Sequence, residues 1–246
     1  MPYQQDWSAH AERELARYRD GEARLAAKDA RADASAAEDS ADPDSRQRQL
    51  TRMANAAAGA GLALLMDRRA DDARTWLSRA ADRYRESFAE APPGSWGRPI
   101  GAIKARIIAG DWEAARKDAQ WALDAGTADS DSPIGRYAAA LAFLVGGEDE
   151  EARAQADAIR TRDDFPRAVG DALAFIAARD ILGYTEAVEA VLESFEQREE
   201  YLEDIPVADT VLVLQALAAG RGLAVPLESP LLPGGATPAP ATGPGA

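Results

Sequence analysis

Residues 96–126 read WGRPIGAIKARIIAGDWEAARKDAQWALDAG, and this stretch decides the fold. Pro99 fits the first turn of a helix, where a missing N–H costs nothing. Ile100, Ile103 and Ile107 follow on one face at helical spacing. Gly110 closes that helix, because it takes a positive φ at the C′ position without steric cost. Asp111 caps a second helix by accepting from an orphan backbone N–H, and Glu113 complements its positive end. The pair is therefore an antiparallel hairpin with a tight turn at Gly110–Asp111. In its second helix Trp112, Ala115, Ala119 and Ala122 line one face, while Ala114, Trp121 and Ala125 line the nearly opposite one. A helix with apolar surface on two sides needs a neighbour on each, so one hairpin implies a stack of them.

The rest of the chain supplies the neighbours. Residues 8–30 predict an N-terminal amphipathic helix whose stripe of Trp7, Ala11, Leu15, Tyr18 and Leu25 is interrupted by Glu14, Gly21 and Glu22. Residues 31–45 are acidic and small, with too little apolar area to offset ordering entropy, and read as a linker. From 46 to 232 helical periodicity returns. Helices are expected over 46–66, where Gly59 and Gly61 favour close helix approach, and over about 73–88, ended by Pro92–Pro93–Gly94. Further helices follow from 133 to 145, from 148 onward and from 166 to a stop at Gly183. Thr185 then caps a long acidic helix reaching Leu202. Residues 205–219 are apolar nearly all round and predict a C-terminal helix capped by Asp204, closing the open end of the stack, with an apolar extension over 223–232. The Pro/Gly/Ala-rich tail, 233–246, predicts disorder.

The second helices of the hairpins begin alike, as Asp71-Asp72-Ala73-Arg74, Glu113-Ala114-Ala115-Arg116, Glu150-Glu151-Ala152-Arg153 and Thr185-Glu186-Ala187-Val188. Their alanines lie 42, 37 and 35 residues apart, a period that signals a helical repeat array. Over about residues 48–202 this pattern resembles the tetratricopeptide-repeat superfamily, in which a small residue early in the second helix lets paired helices approach. The resemblance implies an all-α, right-handed solenoid of stacked hairpins. The consensus aromatic of the first helix is absent from most units, and the first two intervals exceed the usual repeat length.

Composition narrows the function. The chain has 246 residues, no cysteine, one histidine and a formal charge of −14. A disulfide framework, thiolate zinc sites and a cysteine nucleophile are excluded. His10 alone cannot build a His-rich metal site or a catalytic triad, and neither a phosphate loop nor a G-x-S-x-G elbow occurs. The acidic run Glu148–Glu151 lacks the alternating spacing of a calcium loop and suits a helix N-terminus. No catalytic, metal-ligating or cofactor-binding residue is expected, and no cofactor. Residues 146–205 hold six Lys/Arg against seventeen Asp/Glu, which argues against nucleic acid as a partner. With no basic-then-apolar leader and no apolar run near the ~18 residues of a membrane span, a cytoplasmic, membrane-free chain is expected.

Two patches are candidates for partner binding. Trp96, Arg98, Lys104 and Arg106 are expected on the exposed side of the first helix of the 96–126 hairpin, where cations facing a concave groove would clamp a partner's carboxylates. Glu186, Glu189, Glu193, Glu196, Glu200 and Glu203 fall at i, i+3, i+7 spacing and predict one continuous acidic stripe able to steer a basic protein. A solvated face is the simpler account of either. The function expected is a non-enzymatic module binding a protein or peptide, with the oligomeric state left open. Residues 211–233 offer an alternative through Arg221, Gly222, Leu223, Ser229, Pro230, Leu232 and Pro233, with Leu231 where an aromatic would be expected. This segment resembles the C-terminal end of a family of bacterial polymorphic-toxin immunity proteins. That resemblance implies an inhibitor whose acidic stripe faces a basic toxin. A third reading, a small-molecule enzyme or sensor with a helical pocket, lacks any convergence of polar groups in the sequence.

Overall fold

The computed structural model describes residues 5–34, 43–201 and 204–234. Among these it contains ten α-helices and no strand: α1 (Trp7–Ala34), α2 (Pro43–Met66), α3 (Ala70–Phe88), α4 (Gly97–Ala109), α5 (Trp112–Asp124), α6 (Pro133–Gly146), α7 (Asp149–Arg160), α8 (Arg167–Ala178), α9 (Ile181–Glu196) and α10 (Asp209–Ala219). From α1 to α9 each helix packs on the next in the chain, so the fold is an array of antiparallel hairpins. Helix α6 also touches α4 and α8, which sets these three in one row.

The α4–α5 hairpin forms as its local signals dictate. Gly110 adopts φ 73°, and the turn is closed by the Asp111 N–H donating to the Arg106 carbonyl at 3.0 Å. The Asp111 carboxylate accepts from the Ala114 N–H at 3.0 Å. Trp121, on the second apolar face of α5, packs edge-on against Phe88 of α3 at 5.3 Å between ring centres. Between α2 and α3, Gly61 acts by its missing side chain, since a Cβ there would lie 2.7 Å from Leu77 Cγ.

Three expectations need correction. Two of the three residues read as interruptions of α1 belong to its buried face: Glu14 is fully buried, and a Cβ on Gly21 would collide with Met53 of α2, while Glu22 is exposed. Helix α1 pairs along α2 through Ala11, Tyr18 and Leu25 and runs on to Ala34, while α2 starts at Pro43. Only residues 35–42 of the expected linker lie between them, outside the described residues, as do 235–246 of the expected tail. Second, the break before α9 falls at Arg179–Asp180 and not at Gly183–Thr185. Arg179 takes φ 55°, and the Asp180 carboxylate accepts from the Leu182 and Gly183 N–H groups. Gly183 lies inside α9, where a Cβ would meet the Phe175 ring at 2.5 Å. The position held by the buried Ala73, Ala115 and Ala152, fourth in their helices, is therefore held in α9 by Tyr184. Its hydroxyl donates to Gln215 of α10 at 2.8 Å. Third, α9 ends at Glu196 instead of running to Leu202, where the Tyr201 hydroxyl donates to the Phe195 carbonyl at 2.7 Å.

The C-terminal helix covers the last hairpin, as expected, and reaches much further. Residues 205–208 are not helical, so α10 starts at Asp209 and the Asp204 cap does not form. Ile205, Val207 and Leu212 pack with Trp7 of α1, Leu62, Leu65 and Met66 of α2, and Ile108 of α4. Helix α10 touches α4, α8 and α9. Its Val211, Leu212, Val213, Leu214 and Leu217 are all buried, which at about 1.5–3 kcal/mol per side chain is on the order of 10 kcal/mol. That gross term rivals the whole stability of an ordinary domain, about 5–15 kcal/mol, so α10 is part of the core and not a displaceable strap. The extension after it returns along the array: the Ala208 N–H donates to the Leu231 carbonyl at 3.0 Å, and Ser229 Oγ donates to Glu196 at 2.7 Å.

Candidate functional site

The cations of α4 turn inward. Lys104 is only 16% exposed, and its Nζ lies 2.6 Å from Asp209 and 3.1 Å from Thr210 Oγ1, both at the start of α10. Burial works against the Lys104 ammonium, but Asp209 beside it more than offsets this and holds its pKa above the ordinary lysine value. Tyr137 of α6 stands close enough to feel both charges, and burial pushes its hydroxyl pKa up. Arg106, 11% exposed, bridges Asp118 of α5 at 3.2 Å and Asp82 of α3. Asp118 is buried and also accepts from Arg85 of α3, so one carboxylate ties three helices. Arg98 donates to Ser87 Oγ at 3.1 Å and to Gln47. Trp96 is half-buried beside Phe88, 6.1 Å between ring centres. The expectation of one exposed basic patch therefore fails: these residues go to separate partners within the array.

The glutamates of α9 behave oppositely. Glu186, Glu189, Glu193 and Glu196 are all exposed. None of the four is in an ion pair among the described residues. Glu193 accepts from Gln197 at 3.0 Å and Glu196 from Ser229. Leu182 precedes them on the same face at i, i+4, i+7, i+11 spacing and is 77% exposed. The stripe is shorter than expected, because Glu200 lies beyond the end of α9 and Glu203 lies outside the described residues.

A third feature was missed by sequence reasoning. A cavity of about 330 Å³ opens where α2, α3 and α4 face the segment leading into α10. Leu62, Leu77, Ile108, Ile205 and Val207 are among its apolar lining. Its polar groups are the Tyr84 hydroxyl, which donates to Asn55 at 2.8 Å, the Lys104–Asp209 pair with Thr210, Tyr201, and Arg198 stacked 3.7 Å from the Phe195 ring centre. The wall draws on residues from 55 to 210, so no local window displays it. One signal was present: Arg198 is the only cation between Arg179 and Arg221.

Of the residues that carry the C-terminal resemblance, Arg221 and Leu223 turn inward, while Gly222 and Pro230 are exposed. Arg221 donates to the Leu144 carbonyl at 2.9 Å and pairs with Asp149, fastening the end of α10 to the α6–α7 turn. Asp149 thereby has a structural partner besides the positive end of α7. Among the described residues no three His, Cys, Asp or Glu side chains converge as a metal site, and no helix is long and apolar enough to cross a membrane.

Fold and geometry thus define an all-α array of stacked hairpins with its C-terminal helix laid across it. Compared with protein-family models, curated proteins and solved structures, the chain matches none.

Proposed function

We propose that this chain is a non-enzymatic interaction module that presents the outer face of α9 to a basic protein partner. The reading rests on one contrast in particular: Leu182, a leucine 77% exposed, heads a row of four exposed glutamates without ion pairs among the described residues. A solvated helix face needs no leucine at that position. A partner with cations around an apolar socket would bury Leu182 as an anchor while the glutamates steer encounter. The test is affinity capture from the native host with the wild-type chain and with L182S/E186K/E189K/E193K. Capture of a basic protein by the wild type, lost in the folded variant and weakened by salt, is the expected result. Capture of nothing, or of the same proteins by both chains, overturns the proposal.

A narrower form of the same reading is an inhibitor that covers the basic cleft of a toxin. The acidic face supports it, and so does the resemblance at residues 211–233. Wild-type chain that blocks the captured protein's activity, while the variant does not, selects this form. Capture without any loss of activity rejects it.

A further inference from the structure

The cavity between α2, α4 and the segment before α10 is independent of the α9 face, and its chemistry points elsewhere. Its wall is mainly aliphatic, so bulk water gains few hydrogen bonds there. Three charged residues line it, Lys104, Asp209 and Arg198. Lys104 and Asp209 neutralise each other at 2.6 Å. Arg198 pairs with no carboxylate among the described residues, and its guanidinium lies over the Phe195 ring, 3.7 Å from the ring centre. That stacking uses the flat face of the guanidinium and leaves the N–H donors at its edge for another acceptor. Its charge is also felt at Lys104, where it opposes the ammonium, so two cations share this cavity with one anion.

An occupant must therefore bring an apolar body and one negative charge. A cationic amphiphile would be repelled by Arg198 and would find Asp209 already paired, and a neutral one would gain nothing from the guanidinium, which stays hydrated at the exposed mouth. The volume sits at the lower end of the ~300–1,000 Å³ typical of small-molecule sites. At about 30 Å³ per water-sized group it holds on the order of ten non-hydrogen atoms. The geometry points to a binding site for a small amphiphilic carboxylate, its hydrocarbon body against Leu62, Leu77 and Ile108 and its carboxylate on Arg198. Charge-assisted, bidentate hydrogen bonding from a guanidinium suits that head group. Ala58, half-buried on α2, faces the same space and offers a way to fill it.

The experiment is calorimetric titration of the full chain with octanoate, octylamine and 1-octanol. A one-to-one complex with octanoate, about tenfold or more tighter than with either analogue, is expected, since one charge-assisted contact is worth about that factor. R198Q should reduce octanoate to the affinity of 1-octanol, and A58F should abolish binding of both. The proposal is overturned by octanoate that fails to bind at millimolar concentration, by octylamine binding equally well, or by octanoate affinity unchanged in R198Q. Should A58F not fold, R198Q decides alone, because its side chain lies at the exposed mouth. Folded A58F, verified by circular dichroism, that still binds octanoate places the ligand elsewhere and overturns it as well.

Discussion

Helices α4 and α9 each carry several like charges, spread around α4 and in a row on α9, and the two sets do opposite things. On α4 the cations meet Asp209, Asp118, Asp82, Ser87 and Gln47 and are drawn into the array. On α9 the carboxylates meet no cation among the described residues and stay in solvent. Spacing on a helix specifies which residues share a face. Whether that face is a surface depends on what folds against it. Helix α4 sits mid-array with α10 across it, whereas α9 belongs to the last hairpin and its outer face has no helix beyond it among the described residues.

That contrast breaks or holds on measurements of unequal size. Lys104→Ala leaves Asp209 without its partner at the α4–α10 contact. Breaking a fully buried pair costs ~3–5 kcal/mol; Asp209 is partly exposed, so a loss of about 2–3 kcal/mol in chemical denaturation is expected. The double variant with Asp209→Ala should recover part of this, and additive losses would mean that the two do not act as a pair.

The same pair makes stability depend on alkaline pH. Lys104 has a raised pKa in the folded chain, so its contribution is fully present below the unfolded lysine value of about 10.4 and fades as pH rises through the folded one. Tyr18, Tyr137 and Tyr184 are shifted upward by burial as well, and since the folded chain then holds their protons more tightly, they act in the same direction above about pH 10. Denaturation midpoints should therefore fall above that pH, and less steeply in Lys104→Met. Equal slopes in the two proteins would remove Lys104 from the explanation.

Arg106→Ala is milder, because Asp118 keeps Arg85. A cost of about 1–2 kcal/mol is expected from the lost hydrogen bonds. At the other end, Glu189→Gln on α9 should change stability by less than about 0.5 kcal/mol, as for surface sites in general. A larger loss would show that this glutamate has a structural partner, and the contrast between the two helices would collapse.

Much of the fold was readable because its signals are local. Gly110 and Asp111 specify their turn through backbone conformation and a cap, and the flanking helices follow. Gly183 misled for an equally physical reason. Glycine serves both to end a helix and to let a ring approach one, and only Phe175 across the α8–α9 contact distinguishes the two uses. Asp180 carried the right signal, since an aspartate two or three residues ahead can cap the N–H groups of Leu182 and Gly183. The acidic stripe was overextended because Glu200 and Glu203 keep the helical period in sequence, while Tyr201 turns back onto the Phe195 carbonyl.

By itself the sequence determined that this chain is a stack of helical hairpins, where most turns fall, and which charges share a face, because caps, glycines and apolar periodicity act within a few residues. Only the tertiary structure decided that α10 crosses to α4, that Lys104 is spent on Asp209 far along the chain, and that an apolar cavity with Arg198 at its edge remains between them. Those outcomes depend on burying an apolar helix against distant partners. Helical periodicity says that such a helix must be buried, but not against what.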